Sequence, residues 1–244
     1  MWKAKLYLEK IINIFFPILC AGCGKQINTN SLFCAECQES IQVITLPFCQ
    51  ICGRPFPLKY TSTHVCGGCL KNPPFFKAAR SVFIYTEPIK RSIIQFKFKG
   101  NTALANDLAK MLLFHLQDFL GQIKPETVIP VPLHLKRLRE RGYNQCVLLA
   151  QIIAKYLKIP CEKMVLKKVK PTLPQVGLSQ AQRHKNVKGS FAVIHPQLVK
   201  EKRILLIDDV FTTGSTVNEC AKVLHKAGAS GVWVATLSRT ADVS

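Results

Sequence analysis

The chain has 244 residues, 48% of them hydrophobic, and a formal net charge of +20. That length and apolar content exclude a disordered chain and leave room for one large domain, or for a small one beside a medium one. The charge points to polyanionic partners (phosphates, nucleic acid or an anionic membrane face) without choosing among them.

At the N-terminus, Lys3 and Lys5 precede an apolar stretch broken by Glu9, Lys10, Asn13 and Pro17, with no small-residue cleavage site after it. The stretch is too short and too polar to span a bilayer. Leu6, Ile11, Ile14 and Phe15 fall near helical spacing, which predicts a short helix packed on the next module rather than a membrane anchor. A cytoplasmic protein without a transmembrane segment is expected.

Eight of the eleven cysteines then follow in four Cys-x-x-Cys pairs: Cys20/Cys23, Cys34/Cys37, Cys49/Cys52 and Cys66/Cys69. Two residues between thiolates let both sulfurs of a tight knuckle face one ion, and two knuckles make a tetrahedral four-sulfur zinc site. A disulfide framework needs an oxidising compartment, and both the lack of a signal peptide and the odd total argue against it. Sequential pairing leaves spacers of ten and thirteen residues, and interleaved pairing satisfies the same spacing. His64 lies near enough to replace a ligand, but four cysteines already suffice. Two closed sites of this kind are structural, since no coordination position stays open for substrate. Cys146, Cys161 and Cys220 sit in apolar runs and read as small core residues.

Asn72-Pro-Pro marks a linker. Beyond it, Ser81 to Tyr85 reads as a strand, and Thr86-Glu-Pro as a helix start with Thr86 as the cap. Ile89, Ile93, Ile94 and Phe96 form an apolar face opposite Lys90, Arg91 and Lys97. A helix is predicted from Asn106 to about Gly121, a buried strand over Thr127 to Val131, and a helix over Asn144 to Leu157. Val165 to Val169 and Phe191 to Ile194 read as strands flanking a basic segment. Arg203 to Ile207 is almost wholly apolar, as in a strand buried on both faces. A helix over Thr216 to Ala227 and a strand over Gly231 to Leu237 complete an alternation that predicts a parallel α/β sheet.

Asp208 and Asp209 end the apolar strand, where open α/β sheets bind ligands, and Thr212-Thr-Gly-Ser-Thr216 turns into the next helix. Such a turn aims backbone N–H groups outward, the helix adds its positive N-terminal end, and Gly214 admits an anion without a Cβ in the way. The hydroxyls of Thr212, Thr213, Ser215 and Thr216 add donors. The loop suits a phosphate monoester and the acids suit vicinal hydroxyls; a phosphorylated ribose carries both. A nucleotide-hydrolase loop would need a lysine after the glycine, and Ser215 stands there.

The run from Ile204 to Thr216 closely resembles the phosphoribosyl pyrophosphate motif of type I phosphoribosyltransferases. Over nearly the whole chain the sequence resembles the ComF (ComFC-like) competence proteins, through Val131-Pro-Leu-His134, Arg141-Gly-Tyr-Asn-Gln145, Gln175, Gly177-Leu178, Arg183, Asn186-Val187 and Phe191. The resemblance implies an N-terminal helix and double zinc ribbon over residues 1–72. It implies a type I phosphoribosyltransferase-like sheet flanked by helices over 77–244. Asp208 and Asp209 would bind the ribose hydroxyls, with Asp209 able to assist as acid or base, and Thr212 to Thr216 would hold the 5′-phosphate. Leu133 and His134 would form the pyrophosphate loop. The segment Lys167 to Lys188 would close over the site, with Arg183 touching pyrophosphate. Arg137, Arg139 and Arg141 either join that loop or line a solvated helix face.

In this class pyrophosphate is displaced from C1 of the ribose with magnesium neutralising the leaving group. The base-accepting hood of such enzymes would have to come from Lys77 to Lys124 or from the ribbon, because only seven residues follow Leu237. Turnover and the acceptor are therefore left open. The family resemblance also implies a role in natural transformation, with single-stranded DNA and other competence proteins, such as a DNA translocase, as partners. Gln95-Phe-Lys-Phe-Lys-Gly100 interleaves cations with aromatics, although Phe96 and Phe98 read first as core residues. An active phosphoribosyltransferase of base salvage, with no part in DNA handling, is the alternative.

Overall fold

A computed structural model of the chain describes residues 18–28, 31–57, 62–172 and 180–241, with the side chains of 180, 181 and 184 left aside. The expected N-terminal helix lies outside these residues, as do Gln175, Gly177 and Leu178. Four parallel strands form the main sheet in the order β1-β6-β5-β2: Ala78–Ile84 (β1), Thr127–Pro130 (β2), Arg203–Phe211 (β5) and Gly231–Arg239 (β6). Successive side chains of β5 alternate between the two faces, and each face has its own core. Leu205 and Ile207 pack with Leu108, Leu112, Leu149 and Ile153. Ile204 and Leu206 pack with Val217, Cys220 and Leu224. The first group rides on helices α4 (Leu104–His115) and α7 (Gln145–Leu157), the second on α9 (Ser215–Lys226). Fully burying one such aliphatic side chain stabilises by roughly 1.5–3 kcal/mol, which explains the unbroken apolar run from Ile204 to Ile207.

Several boundaries differ from expectation. β5 runs four residues past Ile207, because Asp208↔Thr236, Val210↔Ser238 and Phe211↔Arg239 extend its pairing with β6. The helix expected from Asn106 starts at Leu104 and breaks at Leu116, where α5 (Gln117–Ile123) begins. Thr86 does not cap α3 (Ile89–Phe98); Pro88 precedes it with no side-chain cap bond. Leu166–Lys168 (β3) and Phe191–Val193 (β4) pair antiparallel with each other and stay outside the parallel sheet. Arg137, Arg139 and Arg141 belong to a short helix, α6 (Leu135–Arg141), with no buried residue, while Arg183 sits on α8 (Gln180–Val187).

The cysteine-rich segment, with its short helices α1 (Ala35–Ser40) and α2 (Gly67–Lys71), closes one edge of the sheet. An edge strand presents unpaired N–H and C=O groups that invite foreign pairing. Here the Ile44 N–H donates to Val82 O at 2.8 Å and the Ala79 N–H donates to Ile51 O at 2.6 Å, so the segment covers β1. It also meets α3, where Gln95 Nε2 donates to Ala21 O at 2.9 Å. Among the described residues no helix is long and apolar enough to cross a membrane.

Candidate functional site

The cysteines sort sequentially. The sulfurs of Cys20, Cys23, Cys34 and Cys37 all lie within 4.8 Å of one another, and so do those of Cys49, Cys52, Cys66 and Cys69. Cys23 and Cys34 Sγ are 3.7 Å apart, and Cys52 and Cys66 Sγ 3.8 Å. A tetrahedron with metal–sulfur bonds of about 2.3 Å has sulfur–sulfur edges of about 3.8 Å, whereas a disulfide needs about 2.05 Å. The surroundings favour a thiolate at one cysteine of each set, while burial pushes the thiols of Cys37, Cys52 and Cys69 up. Burial works against the Cys20 charge, yet backbone N–H groups of Cys23, Cys34 and Gly22 bring that thiol down to about 6. Cys49 is likewise brought down to about 6 against its burial, by the N–H groups of Cys66, Cys52 and Ile51. Both sets therefore fit zinc by distance and by donor chemistry. His64 takes no part in either; it stacks flat on Phe56, with ring centroids 4.1 Å apart.

The second centre lies at the carboxyl end of β5, in a cleft of about 540 Å³. Asp209 is only 4% exposed and both of its oxygens are engaged. Oδ1 meets Lys97 Nζ at 2.7 Å and Oδ2 accepts from Gln145 Nε2 at 2.5 Å. Asp208 is half-buried; its Oδ1 accepts from the Asp209 N–H at 2.9 Å and from Cys146 Sγ at 3.4 Å. Burial and the neighbouring Asp209 charge raise the Asp208 carboxyl to about 7, and Lys97 restrains the rise. Burial works against the Lys97 charge, but the carboxylates, Asp209 foremost, outweigh it and hold the ammonium above its usual range.

Gly214 adopts φ +75°, and a Cβ there would come 2.5 Å from Phe211 Cζ, so the turn from β5 into α9 needs glycine on both counts. The five residues of the loop divide. Thr212, Gly214 and Thr216 line the cleft, while Thr213 and Ser215 hydroxyls bond each other at 2.8 Å and brace the turn. Leu133 and His134 line the cleft from the loop after β2, and His134 Nδ1 accepts from the Lys136 N–H at 3.3 Å to start α6. Arg183 reaches the cleft from α8. Arg137, Arg141 and Lys168 complete a cationic rim, and burial lowers the last two from their ordinary values.

The sequence-predicted residues of this centre thus line one cleft, apart from Thr213 and Ser215. Sequence reasoning missed Lys97 as a member of the site and assigned it to a solvent face. It also placed Phe98 in the core, yet the ring is 61% exposed at the cleft mouth, with the Arg141 guanidinium 4.4 Å from its centroid. Cys146 is core as expected, but its thiol also touches the acid pair.

Residues 11–70 match the double zinc ribbon domain, and residues 143–242 match the phosphoribosyl transferase domain. The chain is 38% identical over 231 residues to competence protein F of Haemophilus influenzae, covering 92% of this chain and 98% of that protein. It is 27% identical over 223 residues to competence protein ComFC of Bacillus subtilis, covering 85% of this chain and 84% of the other. Among solved structures, the glutamine phosphoribosylpyrophosphate amidotransferase of B. subtilis shares 21% identity at a TM-score of 0.41, over 59% of this chain and 30% of that one.

Proposed function

Since the chain belongs to the competence protein F family, a double zinc ribbon joined to a phosphoribosyltransferase domain, we propose that its cleft binds phosphoribosyl pyrophosphate with magnesium and that the protein handles incoming single-stranded DNA in natural transformation. The observation that carries the first half is the convergence of an acid pair, a hydroxyl-bearing glycine turn and a cationic rim on one cleft. Asp208 and Asp209 accept from the vicinal hydroxyls of the ribose. Thr212, Thr216 and the N–H groups at the start of α9 take the 5′-phosphate, where the helix end favours negative charge. Arg183, with Leu133 and His134 from the loop after β2, holds the pyrophosphate. Magnesium supplies charge neutralisation at the diphosphate. The residues themselves bind, orient and neutralise; none acts as a covalent nucleophile.

Calorimetric titration with phosphoribosyl pyrophosphate tests this reading. Binding is expected to require magnesium and to vanish in Asp208→Asn/Asp209→Asn; unchanged binding by the double variant sinks it. Because Asp208 titrates at about 7, affinity should strengthen from pH 6 to pH 8 as its carboxylate ionises and becomes an acceptor for two hydroxyls.

The DNA half draws on the family and on charge. α6 exposes Lys136 and Arg139 and leaves Arg137 and Arg141 half-buried at the cleft, and Phe98 offers an exposed ring beside Arg141 on which a base can stack. If five phosphates are neutralised, log affinity for a single strand should fall with log salt at a slope of about −3.5, through counterion release. A flat salt response, or no binding, defeats this half.

A further inference from the structure

The second cysteine knuckle reaches the glycine turn of the cleft through one arginine. Arg239 ends β6 and is 2% exposed. One of its guanidinium nitrogens, Nη1, donates to the Cys52 carbonyl at 2.8 Å, and its guanidinium carbon lies 5.2 Å from the centre of the Phe211 ring. Phe211 ends β5 in register with Arg239, and its carbonyl accepts from the Thr240 N–H at 3.1 Å. Phe76, on the segment that leads from the ribbon into β1, packs edge-on against the same ring at 6.2 Å. The tip of that ring is what a Cβ at Gly214 would strike. A continuous path of contacts therefore runs from the Cys52 backbone to Arg239, Phe211 and the Thr212–Thr216 turn.

Each link has a physical reason to transmit position. A buried guanidinium needs acceptors, and a carbonyl in a knuckle closed by metal is an acceptor with little freedom. A cation held over an aromatic face is attracted to it and favours the ring orientation that keeps the contact. The turn, braced within itself by the Thr213–Ser215 hydroxyl bond, rests on that ring at Gly214, which has no side chain to hold the ring off. We propose that Arg239 and Phe211 are positioning residues through which the second cysteine knuckle, closed by its metal, sets the conformation of the Thr212–Thr216 turn. The functional consequence rests on the reading of that turn as the phosphate anchor.

Hydrogen exchange on the full-length, zinc-loaded chain tests the proposal in wild type, Arg239→Lys and Phe211→Leu. Lysine keeps the charge but not the guanidinium that bonds Cys52 and lies over the Phe211 ring. Leucine removes the ring while leaving the Arg239–Cys52 bond, so it decides the matter if Arg239→Lys fails to fold. Amides of residues 211–218 should exchange faster in both variants, while residues 127–131 and 145–157 and the metal content stay as in wild type. If the competent turn falls to about a tenth of the population, affinity for ribose 5-phosphate weakens about tenfold. Inorganic pyrophosphate, assigned by that reading to Arg183, Leu133 and His134, should keep its affinity. Unchanged exchange over 211–218 in Phe211→Leu overturns the proposal, and so does an equal loss for both ligands. Should neither ligand bind the wild-type chain, the reading of the cleft fails, and the exchange result still decides the positioning role.

Discussion

Removing zinc with a strong chelator should unfold the cysteine-rich segment and open it to protease between residues 18 and 72. The reason is strongest at the second cysteine set, which has little else to hold it, whereas Cys20, Ala21, Phe33 and Cys37 of the first are part of the main core. Among the described residues, the buried cluster around the second cysteine set consists of Cys49, Cys66 and Cys69, with Ile51, Cys52, Phe56 and Val65 packed against it. Helices α1 and α2 have six and five residues, far below the dozen or more at which an isolated helix becomes even marginally stable. Structural zinc in small thiolate sites contributes about 10–16 kcal/mol of apparent binding free energy near pH 7, more than such a cluster supplies. The effect should spread beyond the ribbon. Once the bonds from Ile44 and to Ile51 are lost, β1 becomes an open edge, and light scattering should report association. Acid should mimic the chelator, since protonated thiols do not hold the ion. Metal analysis before and after, with limited proteolysis beside it, checks the result. An unchanged digestion pattern in metal-free protein contradicts it.

The parts of this molecule legible in the sequence are those whose chemistry is local. A Cys-x-x-Cys pair is recognisable because the two sulfurs that share a knuckle are three residues apart. The tandem acids stand out because two adjacent carboxylates at the end of a buried strand are costly unless something pairs with them. Which knuckles share an ion is not local, since ten- and thirteen-residue spacers permit either pairing, and only the folded chain brings Cys23 beside Cys34 and Cys52 beside Cys66. Lys97 was hidden for a related reason. Helical periodicity ranks faces by apolarity and puts a lysine outside, but α3 lays its C-terminal turn over the cleft, where the Tyr143 hydroxyl donates to the Phe96 carbonyl. The partner of Lys97 is 112 positions away, beyond any spacing rule. For Phe98 the geometry was available: residues two apart on a helix point about 200° apart, so Phe96 and Phe98 do not share one buried face. Arg239 looked like the start of a tail because the apolar run stops at Leu237, yet pairing with β5 carries the strand to that arginine.

Lys97→Met is expected to destabilise the fold strongly at neutral pH and much less in mild acid. Methionine fills similar volume, so the main loss is the cation facing Asp209, whose side chain is 6% exposed, as against 18% for that of the lysine. Breaking a buried pair by removing one partner typically costs about 3–5 kcal/mol, because a charge is left without compensation. Protonation limits that loss. Neutralising a carboxyl with a solution value near 3.9 costs about 4 kcal/mol at pH 7 and about 1.5 kcal/mol at pH 5. Denaturant midpoints for wild type and variant should therefore converge as pH falls across that interval. The direction follows from linkage. A carboxyl raised in the folded state makes folding take up a proton, so the variant loses stability as pH rises from the unfolded value towards the folded one. Lys97 also restrains the rise of Asp208, so without it that carboxyl moves further above 7. Any ligand that needs the ionised acid should then bind with its pH midpoint displaced upward, a change that a purely mechanical loss of packing does not produce. Equal destabilisation at pH 5 and pH 7 would show that Lys97 acts through packing alone.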